Sequence, residues 1–236
     1  MNKQAQALGL KNSHFKNATG LPHAEHYSTA ADIGRLAAAL IRDFPDRYPL
    51  YGVKEYRYNN IAQLNRNRLL WIDPSVDGVK TGHTDNAGFC LVASAKRAER
   101  RLLSVVLGTA SESARAIESQ KLLNHGFQAY DTRRLFKKDD VVHTLPVYKG
   151  ADETVPVGFD RDLYFSLPRQ DFDRLKSSLT SQQPLLAPLT KGQAVGQLKL
   201  TVGDKVVAEF RVVTVKSVEP AGFFGRMWDS IRLMLK

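Results

Sequence analysis

The residues best suited to chemistry lie in one short extended segment, Val76–Thr84, which contains the tripeptide Lys80-Thr81-Gly82. The ammonium of Lys80 supplies positive potential and a proton-network partner near a nucleophile, and the hydroxyl of Thr81 can bind a substrate carboxylate. Gly82 lacks a side chain, so a substrate can approach the backbone there and add as a strand. A backbone N–H just after the glycine can stabilise a developing oxyanion. These residue types in this order indicate an acyl-transfer site.

An acyl-transfer site also needs a nucleophile, and one pattern offers it by its letters, Ser13-His14-Phe15-Lys16. A catalytic Ser-x-x-Lys begins a helix, so that the lysine amine lies one turn below the serine and acts as its base. Gly9 precedes this segment and Asn17 and Gly20 follow it, so no helix is predicted to begin there. No Ser-x-Asn occurs in the sequence. We therefore predict that Ser13 is not the nucleophile.

Composition narrows the classes of partner. The chain carries 34 Lys+Arg and 24 Asp+Glu, a net charge of +10, which favours anionic partners in general. No helix-turn-helix, zinc-finger or RNA-recognition signature accompanies the charge, so nucleic acid is not expected and a solvated basic surface is the simpler interpretation. The single cysteine, Cys90, lies in an apolar run and is predicted to be a small buried hydrophobe. No metal and no other cofactor is expected.

Helices and hairpins are predicted around the Lys-Thr-Gly segment. The first eight residues are typical of the end of a helix capped by Gly9 rather than of a secretory signal, and residues 28–43 have helical spacing with Ser28 as the N-cap. Residues 55–58 form a strand before the turn Asn59-Asn60. Further predictions are a hairpin of residues 88–95 and 102–108 and a helix over 111–130, capped by Ser111 or Ser113, with Ala114, Ile117, Leu122 and Phe127 facing inward.

The pattern changes near residue 134. Short alternating strands follow, broken by turns, over residues 155–157, 163–167, 197–202 and 206–218. Gly203-Asp204 separates the last two as a hairpin turn. This part is predicted to be a small all-β domain, a sandwich.

The last stretch has helical periodicity again. Phe224, Met227, Trp228, Ile231, Met234 and Leu235 fall on one face, and Arg226, Asp229, Ser230 and Lys236 lie on or near the other. No stretch reaches the roughly 20 apolar residues that span a bilayer. We predict an interfacial amphipathic helix over residues 223–236 that binds a membrane surface. The alternative is a terminal helix packed on the protein's own core.

The sequence resembles the low-molecular-mass, class C penicillin-binding proteins, the D-alanyl-D-alanine carboxypeptidases of the type 5/6 group. Ser-x-x-Lys, Ser-x-Asn and Lys-Thr-Gly form a signature of penicillin-binding proteins and β-lactamases. The resemblance covers essentially the whole chain. Its segments are Ala7–Phe15, Gly20–Leu21, Tyr27–Asp32, Leu64–Trp71, Val76–Thr84, Ala87–Gly88, Leu91–Ala95 and Glu118–Leu123.

The resemblance implies an α+β fold: part of a penicillin-binding, β-lactamase-like transpeptidase domain, with an antiparallel sheet and helices, then a small all-β sandwich and an amphipathic helix. The expected bounds are 1–133, 134–217 and 218–236. The Ser-x-x-Lys and Ser-x-Asn segments of the family precede the part that this chain matches. The resemblance therefore implies that these 236 residues lack the nucleophile and that the chain is inactive alone. The chain is therefore expected to be the C-terminal portion of a longer carboxypeptidase.

The implied reaction is a serine acyl-enzyme hydrolysis of a peptidoglycan stem peptide ending in D-Ala-D-Ala, and β-lactam antibiotics acylate the same serine. Lys80 and Thr81 correspond to residues that bind and orient substrate. The backbone N–H of His83 corresponds to an oxyanion donor, and Arg115 to an arginine that holds the terminal carboxylate. An exposed helix arginine is the alternative for Arg115. The expected location is the periplasmic face of the bacterial inner membrane. The contrasting hypothesis is a non-catalytic fragment that acts only as a membrane-associated spacer or interaction module.

Overall fold

Two compact units make up the chain. The computed structural model describes residues 1–234, and the first unit comprises Met1–Ala129 while the second begins at Tyr130. The functional division at residues 133 and 217 stays a prediction. In chain order the first unit contains α1 (Asn2–Ala7), α2 (Ala30–Asp43), a 3₁₀ turn (Tyr48–Gly52), β1 (Glu55–Tyr58), β2 (Ile61–Leu64), α3 (Leu69–Ile72), β3 (Val76–Thr84), β4 (Gly88–Arg97), β5 (Arg100–Thr109) and α4 (Glu112–Ala129).

An antiparallel sheet in the order β3-β4-β5 organises the first unit. Because side chains alternate along a strand, Leu91 and Ala93 of β4 face α4 and pack with Leu123 in a buried cluster. On the opposite face α2 lies against β5, where a side chain at Gly34 would meet Val105. The sheet is therefore covered by a helix on each face.

Most of the elements predicted for the first unit are present. Helix α1 ends in a Schellman motif: Gly9 has φ +72°, its N–H donates to Gln6 O, and the N–H of Leu10 donates to Ala5 O. The β1–β2 turn places Asn59 and Asn60 at positive φ, as a two-residue hairpin requires.

Two predictions about helices in this unit are wrong. The N-cap of α2 is Thr29, whose side chain accepts from the Asp32 N–H, while Ser28 bonds to Ser13 instead. In α4 the buried residues are Arg115, Ala116, Ser119, Leu123 and Phe127, whereas Ile117 and Leu122 are each 51% exposed. The helix turns a face with two polar side chains to the sheet, so apolar spacing selected Phe127 correctly but Ile117 and Leu122 wrongly.

The second unit is built from β-strands. They are β6 (Tyr130–Phe136), β7 (His143–Tyr148), β8 (Thr154–Gly158), β9 (Leu163–Pro168), β10 (Leu175–Ser181), β11 (Leu185–Leu186), β12 (Ala194–Val202) and β13 (Lys205–Thr214), with a 3₁₀ turn (Arg169–Arg174) and the terminal helix α5 (Phe223–Met234). A six-stranded sheet runs β10-β12-β13-β8-β7-β11, and β6 pairs with β9. One apolar cluster, including Val155, Val195 and Val212, forms the core.

The terminal helix α5 presents its apolar side chains to solvent. None of its residues is buried, and Phe224 and Trp228 are 79% and 63% exposed. A polar contact joins it to the unit: the backbone N–H of Lys149 donates to the carboxylate of Asp229 at 2.5 Å. Leu235 and Lys236, which the sequence placed on this helix, lie outside the described residues. Over residues 1–234 no helix is long and apolar enough to span a membrane.

Candidate functional site

The Lys-Thr-Gly tripeptide lies on β3, an edge strand of the three-stranded sheet. Antiparallel pairing sets Thr81 opposite Leu91 and Gly82 opposite Cys90. Lys80 is exposed, and its ammonium contacts the carbonyl of Thr81 at 2.5 Å. On an edge strand, alternate N–H and C=O groups have no partner strand and can meet an extended peptide. The tripeptide is therefore accessible both to side-chain contacts and to strand addition.

Neighbouring side chains hold the part of β3 that precedes Lys80 in place. Asn67 is 1% exposed, and its amide donates to the carbonyl of Gly78 at 3.0 Å. A side chain at Gly78 would come within 2.7 Å of the Tyr48 hydroxyl, so only glycine fits. That hydroxyl donates to Asp77, which also pairs with Arg101. Burial raises the pKa of Tyr48 to about 12, so the phenol remains a neutral donor to the carboxylate.

Arg115 holds the end of β3 against α4. Its side chain is buried, and the guanidinium donates to the carbonyls of Gly82 and Arg66, each at 3.4 Å. Glu112, one turn earlier on α4, accepts from it at 3.1 Å. The alternative of an exposed helix arginine is therefore wrong. A buried guanidinium needs such partners, because an unpaired buried charge is costly.

A loop that the sequence reasoning missed as a site element faces the tripeptide. Residues 19–24 and 26 line an open cleft of about 990 Å³ together with residues 80–84. Asn17 holds the loop's turn, since its side chain accepts from the Gly20 N–H and donates to the Leu21 carbonyl. Backbone bonds between His14 and Tyr27 close its base. The Asn-x-x-Gly spacing was the available sign of a turn, but nothing in the sequence placed it opposite β3.

The cleft is rich in positive charge. Lys80, Arg115 and Arg66 line it, and Glu112 is the single carboxylate among its lining residues. Arg66 was also missed, because its position beside the tripeptide depends on the fold between residues 65 and 82. Such a balance favours an anionic ligand. Across residues 1–234 no group of three or more His, Cys, Asp or Glu side chains is placed to hold a metal ion.

The contacts of Ser13 are those of a residue that stabilises the fold, not those of a catalytic nucleophile. Its segment is extended rather than helical, because His14 forms a β-bridge with Tyr27. The Ser13 hydroxyl donates to Asp32 at 2.8 Å, and the Lys16 ammonium pairs with Glu25 instead. Asp32 is fully buried. Burial opposes its ionisation, but hydrogen bonds from Ser13, the Asn12 N–H and Arg35 outweigh this and hold the Asp32 pKa below its usual value.

Comparison with known proteins gives the same result in both units. The family profile described as D-alanyl-D-alanine carboxypeptidase matches residues 1–111, and that of the penicillin-binding protein 5 C-terminal domain matches residues 130–220. The chain is 41% identical over 236 residues to the D-alanyl-D-alanine carboxypeptidase DacA of Escherichia coli, covering 99% of this chain and 59% of DacA. The D-alanyl-D-alanine carboxypeptidase DacD of E. coli is 37% identical over 97% of this chain and 60% of its own length.

Solved structures agree. Penicillin-binding protein 5 from Haemophilus influenzae superposes with a TM-score of 0.86 at 36% identity, covering 92% of this chain and 64% of that one. The D-alanyl-D-alanine carboxypeptidase DacD from Francisella tularensis gives 0.68 at 32% identity, with 93% and 67% covered. The chain belongs to the D-alanyl-D-alanine carboxypeptidase family, among the low-molecular-mass penicillin-binding proteins. It spans about three fifths of the length of the curated relatives described above.

The Asp32 network predicts a pH-dependent contribution to stability. The folded pKa lies below the unfolded value of about 3.9, so the stabilisation is complete above that value and is lost as pH falls through the folded pKa. Asp32→Asn should therefore lower the melting temperature at pH 7, and the difference from the unmodified chain should shrink steadily below pH 4. Thermal unfolding followed by circular dichroism between pH 7 and pH 2.5 measures this. Asp46→Asn is the exposed control, and a pH-independent difference for Asp32→Asn would contradict the account.

Proposed function

We propose that this chain supplies the substrate-binding wall of a serine-type D-Ala-D-Ala carboxypeptidase that trims peptidoglycan stem peptides. The observation that carries the proposal is the position of Lys80 and Thr81 on an open edge strand, with the buried guanidinium of Arg115 behind it. Membership of the family supports the reaction type, and the cationic cleft suits a substrate that ends in a carboxylate.

The proposed roles follow from the side chains and their positions. The hydroxyl of Thr81 donates to the terminal carboxylate of the substrate, and Lys80 supplies positive potential beside it. Arg115 contributes its charge from the floor of the cleft and holds Gly82 in place through its carbonyl. The substrate lies antiparallel to β3 beside Gly82, and the N–H of His83 donates to the oxyanion.

In the reaction a serine oxygen attacks the carbonyl carbon of the penultimate D-Ala, and the serine proton passes through a base to the departing amine of the terminal D-Ala. Water then cleaves the acyl-enzyme ester and regenerates the serine. Penicillins acylate the same serine. We propose that this serine is none of those in the present chain. The hydrogen bond between Ser13 and Asp32, and the pairing of Lys16 with Glu25, support excluding Ser13.

We further propose that α5 binds the surface of a membrane and places the protein at the periplasmic face of the bacterial inner membrane. The support is the orientation of the helix. Asp229 faces the second unit, and the large apolar side chains face solvent. A helix packed on its own core would show the reverse arrangement. Arg226 and Arg232 add attraction to anionic head groups.

Thr81→Val tests the site. The variant is made in the full-length enzyme, which here means the longer carboxypeptidase of which this chain is expected to be the C-terminal portion. Valine has nearly the same shape but cannot donate to the substrate carboxylate, so kcat/KM for D-Ala release from a D-Ala-D-Ala peptide should fall about 10- to 100-fold. Thr144→Val, at an exposed strand position of the second unit, is the matched control and should leave kcat/KM unchanged. Wild-type kcat/KM in Thr81→Val would refute the role of Thr81.

A fluorescent penicillin tests the absence of the nucleophile. It should label the full-length enzyme covalently and leave this 236-residue chain unlabelled, because an acyl-enzyme needs the serine. Denaturing gel electrophoresis, with excess unlabelled penicillin as competitor, measures the labelling. Labelling of this chain that Ser13→Ala abolishes would show that the rejection of Ser13 is wrong.

Vesicle binding tests the helix. Replacing Phe224 and Trp228 by serine should weaken binding of the chain to anionic phospholipid vesicles at least about 100-fold, since each buried aromatic side chain contributes roughly 1.5–3 kcal/mol. Sedimentation with sucrose-loaded vesicles measures the partition. Tyr164→Ser removes an aromatic side chain that is 57% exposed elsewhere in the second unit and should have no effect. Equal losses for both variants would contradict the assignment to α5.

A further inference from the structure

The outward face of three strands in the second unit is almost entirely polar. Strand register places nine residues on it in three rows: Thr180, Gln197 and Arg211; Ser178, Lys199 and Glu209; Lys176, Thr201 and Val206. Residues opposite each other in antiparallel strands share a face. The other face of these strands carries Leu198 and Leu200 into the core. We name these nine residues the polar face.

The charges on the polar face are few and widely spaced. Lys199 and Glu209 pair across the strands at 3.5 Å and cancel. Lys176 and Arg211 remain at opposite corners, and neither has an acidic partner within 4 Å among residues 1–234. Two strand spacings and four residues separate them, about 16 Å along the diagonal. The face therefore offers two separate cations with hydroxyl and amide groups between them.

A concavity adjoins one corner of the polar face. It has a volume of about 500 Å³, and Thr180, Gln197 and Arg211 line it together with Gln182. No carboxylate is among its lining residues. The guanidinium of Arg211 can therefore receive a carboxylate there, with hydroxyl and amide groups beside it to bond neighbouring polar atoms.

These features favour one class of partner. Nucleic acid carries a charge every 1.7 Å or so and is bound by clustered cations or stacking aromatics, and the polar face has neither. A membrane surface needs apolar side chains, and Val206 is the only one present. A sugar strand that bears amides, hydroxyls and occasional carboxylates matches the small number of cations and the hydroxyl and amide groups between them.

We propose that the polar face of the second unit binds the peptidoglycan polymer itself. Arg211 and Lys176 bind carboxylates of stem peptides, and Ser178, Thr180 and Gln197 bond the sugars and amides between them. The identity of the polymer rests on the proposed function, but the binding requires neither a nucleophile nor the cleft.

Co-sedimentation of the full chain with purified, diaminopimelate-containing peptidoglycan sacculi at 150 mM salt tests the proposal. The double variant Lys176→Gln/Arg211→Gln should bind about tenfold more weakly, which corresponds to losing about one charge-assisted hydrogen bond. Lys137→Gln/Lys138→Gln removes the same charge from two exposed positions that are not among the nine residues of the polar face, and it should change binding less than about twofold. Each single variant at Lys176 and Arg211 should show part of the loss, so the conclusion does not depend on the double variant alone.

Sacculi whose carboxylates have been amidated chemically should bind the unmodified chain as weakly as untreated sacculi bind the double variant. Three results would overturn the proposal: unchanged binding of the double variant, an equal loss in the control pair, or equal binding to heparin or duplex DNA with the same dependence on Lys176 and Arg211. The last would show general attraction of polyanions. If the chain binds sacculi through the polar face while penicillin fails to label the full-length enzyme, the proposed function is wrong and this proposal stands.

Discussion

The arrangement around β3 depends on one buried charge, the guanidinium of Arg115. Removing an arginine from water is costly, so its donors must be paired, and the partners available are the carbonyls of Gly82 and Arg66 and the carboxylate of Glu112. These partners belong to the edge strand, to the segment before α3 and to α4 itself. One side chain thereby fixes three parts of the cleft, and it also brings a permanent positive charge to its floor.

In the first unit, β3 is held by side chains before the tripeptide and is open along its outer edge. Asn67, Tyr48 and Asp77 hold the segment that precedes the tripeptide, while the outer edge of the strand has no partner strand among the described residues. This division suits a surface that adds an extended peptide, since the strand must keep its shape before the ligand arrives. In the second unit one side of the main sheet packs on the apolar core, and the polar face lies on the other side.

Sequence reasoning succeeded where local chemistry decides structure and failed where a neighbour in space decides it. The Schellman end of α1, the Asn59-Asn60 turn and the strands of the second unit each depend on residues within a few positions. Helix α4 shows the opposite case. Its inward face includes Arg115 and Ser119, which an apolar pattern cannot select, because the partner of Arg115 is a strand 33 residues earlier. The N-cap of α2 failed similarly, since Ser28 is occupied by Ser13 across the chain.

By itself the sequence determined the family, the α+β class and the tripeptide, because Lys80-Thr81-Gly82 and its flanking segments are contiguous and their chemistry is local. It also determined that α5 is amphipathic. Only the tertiary structure decided which way that helix faces, that Arg115 is buried behind β3, and that the loop from residue 19 to 26 and Arg66 share a cleft with Lys80. Those relations join residues far apart in the chain, and packing and the pairing of buried polar groups fix them, which spacing along the chain does not encode.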